Sequence, residues 1–194
     1  MKKGDFARKQ SFKQSCNNEN SSLTEIKIHG KDGQGVVIAG QLLAIAAFHD
    51  GKYSQAFPSF YFEGKDLLAA SSIRISDRPI NLREQVYNQD YEIFLDPESI
   101  QLYETIKGPR KKTAVNNKRE IRNCTAKDIN KKAVEIFGRP IVNTLLLGVF
   151  AAYTKLITLD SLLKAAEERF RENEELIIKN KRAIREAYTQ EENG

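Results

Sequence analysis

The sequence has too few cysteines to build most metal centres or a disulfide framework. Only two are present, Cys16 and Cys124, and they lie far apart with no Cys-x-x-Cys pair. A self-contained iron–sulfur cluster and an all-cysteine zinc site are therefore excluded. The same scarcity argues against a disulfide-rich secreted protein and fits a reducing compartment. We expect a cytoplasmic chain that holds no metal ion by itself.

Long apolar runs are missing as well. The longest, at residues 145–150, is far shorter than the roughly 20 residues that span a bilayer. Residues 1–22 contain no apolar segment of the kind found in secretory signals and are rich in lysine, serine, asparagine and glutamine. This composition favours a mobile polar tail. We therefore expect no membrane partner, and a single domain at 23–190 after the tail.

Charge of one sign is present in only mild excess. The net charge is +5, and the basic residues are spread out apart from a short cluster at 109–112. A nucleic-acid-binding protein usually shows a basic stripe interleaved with exposed aromatic residues, and the sequence has no such stripe. A solvated positive surface is therefore favoured over nucleic-acid binding, while acidic partners and phosphorylated ligands stay open.

Histidine is scarce too, and this limits the catalytic chemistry. His29 and His49 are the only two histidines, and they flank the two ends of the first predicted helix. No Ser–His–Asp or Cys–His arrangement can be argued from residues so placed. The sequence therefore predicts no catalytic residue in this chain.

The pattern that is present is an alternation of strands and helices, followed by helices alone. Strands are predicted at 24–28, 52–57, 69–76, 91–95, 113–115 and 121–124, and helices at 36–48, 128–137, 143–154, 159–170 and 172–188. This order predicts a three-layer α/β/α fold with a mixed, mostly parallel sheet of about five strands. The sheet must be mixed because the third strand follows the second too closely for a helical crossover. Asn143 is predicted to cap the helix that follows it.

Three glycines stand between the first strand and the first helix, in the stretch IHGKDGQGVVIAG at 28–40. A glycine loop between strand and helix is the arrangement that holds phosphates and other anions. Here the order is G-x-x-G-x-G, whereas the dinucleotide fingerprint is G-x-G-x-x-G with an acid about 20 residues further on. That distance falls near Gln55 and Ala56, and Gly35 is followed by two valines instead of Lys-Ser/Thr. NAD and ATP are disfavoured, and the loop either binds an anion or a backbone carbonyl or is a tight turn without a ligand.

A cluster of aromatic residues follows the second predicted strand. Phe57, Phe60, Tyr61 and Phe62 place four rings within six positions, and they cannot all point inward from one strand. Core packing stays possible, but a protein–protein contact is favoured because such contacts are enriched in aromatic residues. The predicted interface segment comprises Phe57, Pro58, Ser59, Phe60, Tyr61, Phe62, Glu63 and Lys65.

Taken in order, the motifs of this chain resemble a known family. After the glycine loop come QAFPSF at 55–60, Glu63, RISDRPI at 74–80, FLDP at 94–97, PIVNT at 140–144, LG at 147–148 and KNKRA at 179–183. The series resembles the gamma subunit of the 2-oxoacid:ferredoxin oxidoreductases, the pyruvate:ferredoxin oxidoreductase group. The resemblance covers about 26–188, and the ordered set is specific although each motif alone is weak.

The resemblance implies a multi-subunit complex with a three-layer α/β/α gamma subunit. Such a complex decarboxylates a 2-oxo acid on thiamine diphosphate, passes electrons through iron–sulfur clusters to ferredoxin and transfers the acyl group to coenzyme A. The thiamine diphosphate and the clusters belong to the other subunits, so ferredoxin is only an indirect partner of this chain. The gamma subunit is implied in assembly and in the wall of the coenzyme A region. The loop residues that would contact coenzyme A or a neighbouring chain are Gly30, Lys31, Asp32, Gly33, Gln34 and Gly35.

Two departures from the family pattern keep an alternative open. Asp32 stands where the family usually has glycine, and a carboxylate there repels phosphate unless Lys31 or another cation offsets it. Gly64 and Lys65 replace paired arginines, and lysine cannot reproduce the planar bidentate contacts of arginine. The alternative is a divergent relative that binds a coenzyme A-like or nucleotide-like ligand, or another partner, without oxidoreductase activity.

Overall fold

The computed structural model describes residues 23–63, 66–87, 89–95 and 126–193. The predicted tail at 1–22 and the predicted strands at 113–115 and 121–124 lie outside these ranges. Within them, the predicted strands and helices are all present, with bounds that differ by a few residues.

Four strands form one sheet in the described part of the chain. They are β1 (Thr24–Lys31), β2 (Tyr53–Glu63), β3 (Asp66–Ser76) and β4 (Tyr91–Phe94), and their order is β2-β3-β1-β4. β3 pairs antiparallel with both β2 and β1, and only β4 is parallel to its neighbour β1. The prediction of a mixed sheet is confirmed, but "mostly parallel" was wrong. The reason is the long β2–β3 hairpin, whose second strand returns to pair with β1.

Five helices accompany the sheet. They are α1 (Val36–His49), α2 (Ala126–Phe137), α3 (Asn143–Thr154), α4 (Leu159–Arg169) and α5 (Glu174–Glu192). Two of them begin at side-chain caps of the expected kind: Thr158 Oγ1 accepts a hydrogen bond from the Ser161 amide at 3.2 Å, and Asn173 Oδ1 accepts one from the Leu176 amide at 3.0 Å. Local chemistry therefore sets the start of α4 and α5.

The core lies between one face of the sheet and the helices. That face carries fully buried isoleucines from three strands, and α1, which is apolar on nearly every side, packs across it. The other helices pack around α1, and Phe150 of α3 meets the ring of Tyr91 edge-on with centroids 5.5 Å apart. The α/β fold class is confirmed, and the described residues account for a sheet layer and a helical layer on one side of it.

The opposite face of the sheet holds a buried charge. Only 1% of the Arg74 side chain is exposed, and its Nε donates to Glu25 Oε1 at 2.8 Å. The guanidinium also lies over the ring of Phe57, 5.4 Å from the centroid. A buried guanidinium is tolerated only when it is paired, so the Glu25–Arg74 contact fixes the pairing of β1 with β3 from this side.

Asp50 joins the end of α1 to the start of α4. Its carboxylate accepts hydrogen bonds from the Thr158 amide and hydroxyl at 2.8 and 2.7 Å and from the Ser161 hydroxyl at 2.6 Å. Burial alone raises the pKa of the Asp50 carboxyl. The hydrogen bonds from Ser161 and Thr158, with the charge of Lys52, outweigh burial and hold this pKa below its ordinary value of 3.8.

We predict that Asp50→Ala lowers the free energy of unfolding by about 2 kcal/mol at pH 7. Because the pKa is lower in the folded state, this contribution is complete above the ordinary pKa of 3.8 and is lost as the pH falls through the lowered value. Urea unfolding of both proteins at neutral pH and in acid measures the difference. Asp160→Ala, which removes an exposed carboxylate from α4, is the control and changes stability much less. An Asp50→Ala deficit that is the same in acid as at pH 7 contradicts the prediction.

Candidate functional site: the glycine loop

The glycine loop connects β1, which ends at Lys31, to α1, which begins at Val36. The chain closes this turn itself through Gln34. The backbone amide of Gln34 donates to the Lys31 carbonyl at 3.3 Å, and Gln34 Oε1 accepts from the Lys31 amide at 2.7 Å. The turn therefore has a defined shape without a ligand, which is the preorganisation that an anion site needs.

The three glycines are required for three different reasons. Gly30 is buried, and a Cβ there would lie 2.7 Å from Gln34 Oε1 and 2.8 Å from Val36 Cγ2. Gly33 has φ of +81° with open space around it, so only its backbone conformation calls for glycine. Gly35 has φ of +80°, and a Cβ on it would also lie 2.3 Å from Asn143 Nδ2.

Asn143 is a site residue whose role the sequence did not indicate. The prediction that it caps α3 was wrong: Val142 is at the cap position, and Asn143 is the first residue of the helix. Its Nδ2 donates to the Gly35 carbonyl at 3.3 Å, and its Oδ1 accepts from the Thr144 amide at 2.9 Å. No local signal could have found this contact, because it joins residues 108 positions apart.

Two helix N-termini therefore meet at the loop. Neither α1 nor α3 has an acidic residue in its first turn, and neither start is capped by a side chain. The positive ends of both helix dipoles are thus left without a compensating carboxylate inside the helices. Asp32 and Gly33 are exposed at the tip of the loop, and Lys31 is half-buried beside them. The arrangement can accept an anionic group from solvent.

A buried histidine–glutamate pair lies behind the loop. His29 is adjacent to Gly30 in β1 but points to the face opposite α1, where its Nε2 is 3.4 Å from Glu92 Oε1. Its ring stacks on Phe94, with centroids 4.7 Å apart. Burial on this face separates the pair from the exposed loop tip, so it supports the site without forming part of its surface.

The predicted interface segment lies at the same end of the sheet as the loop. Gly30 pairs with Ala69, which in turn pairs with Phe60, so Phe60 and the loop are two strand spacings apart, roughly 10 Å. The aromatic residues divide between the two faces of β2, as strand alternation requires. Phe57, Ser59 and Tyr61 are half-buried on the Arg74 side, while Pro58 and Phe60 are exposed on the other. The side chains of Phe62 and Glu63, and the whole of Lys65, lie outside the described part of the chain.

Within the described ranges, no group of three histidine, cysteine, aspartate or glutamate residues is placed to hold a metal ion. None of the helices in those ranges has the length and apolar character needed to cross a bilayer.

Comparison with known proteins agrees with this fold and site. Residues 25–190 match the family model described as pyruvate ferredoxin/flavodoxin oxidoreductase. The chain is 43% identical to pyruvate synthase subunit PorC of Methanothermobacter marburgensis over 76% of its own length and 87% of that protein. It is 36% identical to the pyruvate/ketoisovalerate oxidoreductases common subunit gamma of Pyrococcus furiosus, over 88% of its own length and 98% of that protein.

A solved structure is also similar. The pyruvate oxidoreductase subunit PORC of Thermotoga maritima superposes with a TM-score of 0.65 at 30% identity, over 86% of this chain and 96% of that one. The molecule is thus an α/β domain of the PorC type with a preorganised glycine loop. It belongs to the pyruvate ferredoxin/flavodoxin oxidoreductase family, and its recognition from the sequence as a gamma-type subunit is confirmed.

Proposed function

We propose that this chain is the gamma subunit of a 2-oxoacid:ferredoxin oxidoreductase. The complex oxidatively decarboxylates a 2-oxo acid to an acyl-coenzyme A and reduces ferredoxin, and pyruvate is the first 2-oxo acid to test. The observation that carries the proposal is the near full-length similarity to relatives named pyruvate synthase subunit PorC and common subunit gamma. The chain covers almost the whole of these relatives, so the proposal concerns a complete subunit of that type.

The proposal assigns thiamine diphosphate and the iron–sulfur clusters to the other subunits. The whole sequence has two cysteines, whereas a cluster needs four protein ligands, usually all cysteine. This chain contributes no catalytic side chain and acts in assembly and in the wall of the coenzyme A region. The complex works in the cytoplasm, and ferredoxin is reached through the partner subunits.

Within the complex, we assign the glycine loop to the pyrophosphate of coenzyme A. Three features support this: the closed turn at Gln34, the two helix starts without carboxylates, and the exposed tip at Gly33. Asp32 weakens the case less than the sequence suggested, because it is exposed. Water and salt screen an exposed carboxylate, and its side chain can turn away from a bound anion.

Gly33→Val tests this assignment, and Gly51→Val is its matched control. Both glycines have positive φ, and a Cβ added to either would meet open space. Both substitutions therefore impose the same kind of backbone strain, but only Gly33 lies in the loop. In the reconstituted complex we expect Gly33→Val to raise KM for coenzyme A about tenfold with a smaller change in kcat. Gly51→Val should leave KM unchanged, and equal values for the two variants would remove coenzyme A from the loop.

Co-purification tests the proposed function itself. The tagged chain, expressed with the neighbouring oxidoreductase genes, should bring down subunits that contain thiamine diphosphate and iron–sulfur clusters in fixed stoichiometry. The alternative, a divergent ligand-binding relative, predicts instead that the isolated chain binds coenzyme A in a calorimetric titration and joins no such subunit.

A further inference from the structure

Two consecutive elements of this chain carry no Asp, Glu, Lys or Arg side chain. Helix α1 has none along its entire length, and residues 53–62 of β2 have none either, in a chain with 29% charged residues. The two elements lie side by side, because Ser54 Oγ donates to the Ala44 carbonyl at 2.8 Å. The charge-free stretch is therefore one continuous surface region and not two separate segments.

Part of this region faces solvent. On α1, the spacing of Val37, Ala44 and Phe48 places them along one side of the helix, away from its buried face, and 70% of Phe48 is exposed. These side chains are flanked by a single polar residue of the helix, Gln41, whose Oε1 accepts from Arg169 Nε at 2.9 Å. The solvent side of α1 is thus mainly apolar.

The neighbouring side chains of β2 continue the same surface. Ala56 pairs with Ile73, which is buried beneath α1, so Ala56 and the alternate residues after it stand on the α1 side of the sheet. All are exposed, and Phe60 is exposed to 54%. We define the α1–β2 apolar face by the following six residues: Val37, Ala44, Phe48, Ala56, Pro58 and Phe60.

The chemistry of this face indicates what covers it. With no charge of either sign, it offers nothing to an acidic or basic partner, and a charged surface would lose its hydration here without gaining a counterion. Exposed rings without neighbouring charges are typical of the buried centre of a protein–protein contact. The matching partner is an apolar, uncharged protein surface.

A second copy of this chain fits the face poorly. Two copies of an edge strand commonly associate by antiparallel pairing about a two-fold axis, which extends the sheet through both molecules. In β2, which runs from Tyr53 to Glu63, the central residue is Pro58. Proline has no amide hydrogen to donate, so it interrupts the pairing near the point where the axis would fall.

We infer that the α1–β2 apolar face docks, by side-chain packing, onto an uncharged apolar surface of another subunit of the oxidoreductase. This inference rests on the proposed function and adds to it which side of the hairpin makes the contact. The exposed residues on the α1 side bind the partner subunit, while Phe57 is committed to packing against Arg74 within the chain.

Phe60→Arg tests the inference, with Ile178→Arg as the matched control. Ile178 lies in α5 and is 60% exposed, so both variants replace an exposed apolar side chain with the same cation and should fold like the wild type, which thermal unfolding checks. In titrations of the partner subunits, we expect Phe60→Arg to weaken association at least tenfold. Ile178→Arg should assemble as the wild type does.

Three other outcomes overturn the inference. If Phe60→Arg assembles with wild-type affinity, the face is not a subunit contact, although the proposed function stands. If the isolated wild-type chain is a dimer that Phe60→Arg dissociates, the occupant is a second copy. If the wild-type chain binds none of the partner subunits, the inference and the proposed function both fail.

Discussion

Gly35→Ala is expected to lower the free energy of unfolding by about 3 kcal/mol. Two costs add at this position. An alanine held at φ of +80° costs about 1–2 kcal/mol. The new Cβ would also lie 2.3 Å from Asn143 Nδ2, and overpacking of this kind costs about 1–3 kcal/mol. Urea unfolding of the purified chain measures the sum.

Gly33→Ala separates the two costs. Gly33 has nearly the same φ, but no atom lies within 4 Å of a Cβ added there, so only the backbone cost of about 1–2 kcal/mol remains. The double variant Gly35→Ala/Asn143→Ala removes the atoms in conflict and should show a favourable coupling energy of at least about 1 kcal/mol. Equal losses for Gly33→Ala and Gly35→Ala, with no coupling to Asn143, would mean that α3 does not abut the loop.

Glu25→Ala is expected to cost about 3–5 kcal/mol, because it leaves the buried Arg74 guanidinium without its carboxylate. The loss is large for a residue in the first half of an eight-residue strand, where an exposed glutamate would matter little. The measurement is again the free energy of unfolding in urea at neutral pH.

The double variant Glu25→Ala/Arg74→Met is the control for this second prediction. Methionine removes the charge and keeps much of the volume, so the double variant should recover more than half of the loss. A double variant that is less stable than Glu25→Ala alone would show that Arg74 is held mainly by other contacts, such as its packing over Phe57.

The sequence predicted features whose causes are local. The glycines after β1, the short connection between β2 and β3 and the apolar stretch of α1 each carry their own signal, because turn geometry and periodicity act over a few residues. These signals placed the glycine loop correctly between strand and helix. They also predicted that the rings of the interface segment divide between two faces of β2.

Features that depend on distant partners could not be predicted in this way. The contact between Asn143 and Gly35 joins two helix starts from different parts of the chain, and the local pattern around Asn143 indicated only a cap. The burial of Arg74 follows from its register opposite Glu25, which no local pattern specifies. The direction of β3 relative to β1 was missed for the same reason, since strand pairing is decided by the whole sheet.

The most direct test of the central claim is reconstitution of the oxidoreductase with and without this chain. Ferredoxin reduction would be followed in the presence of pyruvate, or another 2-oxo acid, and coenzyme A. The proposed function predicts that the remaining subunits have less than a tenth of the activity without the chain, and that adding it in stoichiometric amount restores both the activity and a single complex on gel filtration. Full activity of the remaining subunits alone, with the added chain eluting separately, would contradict it.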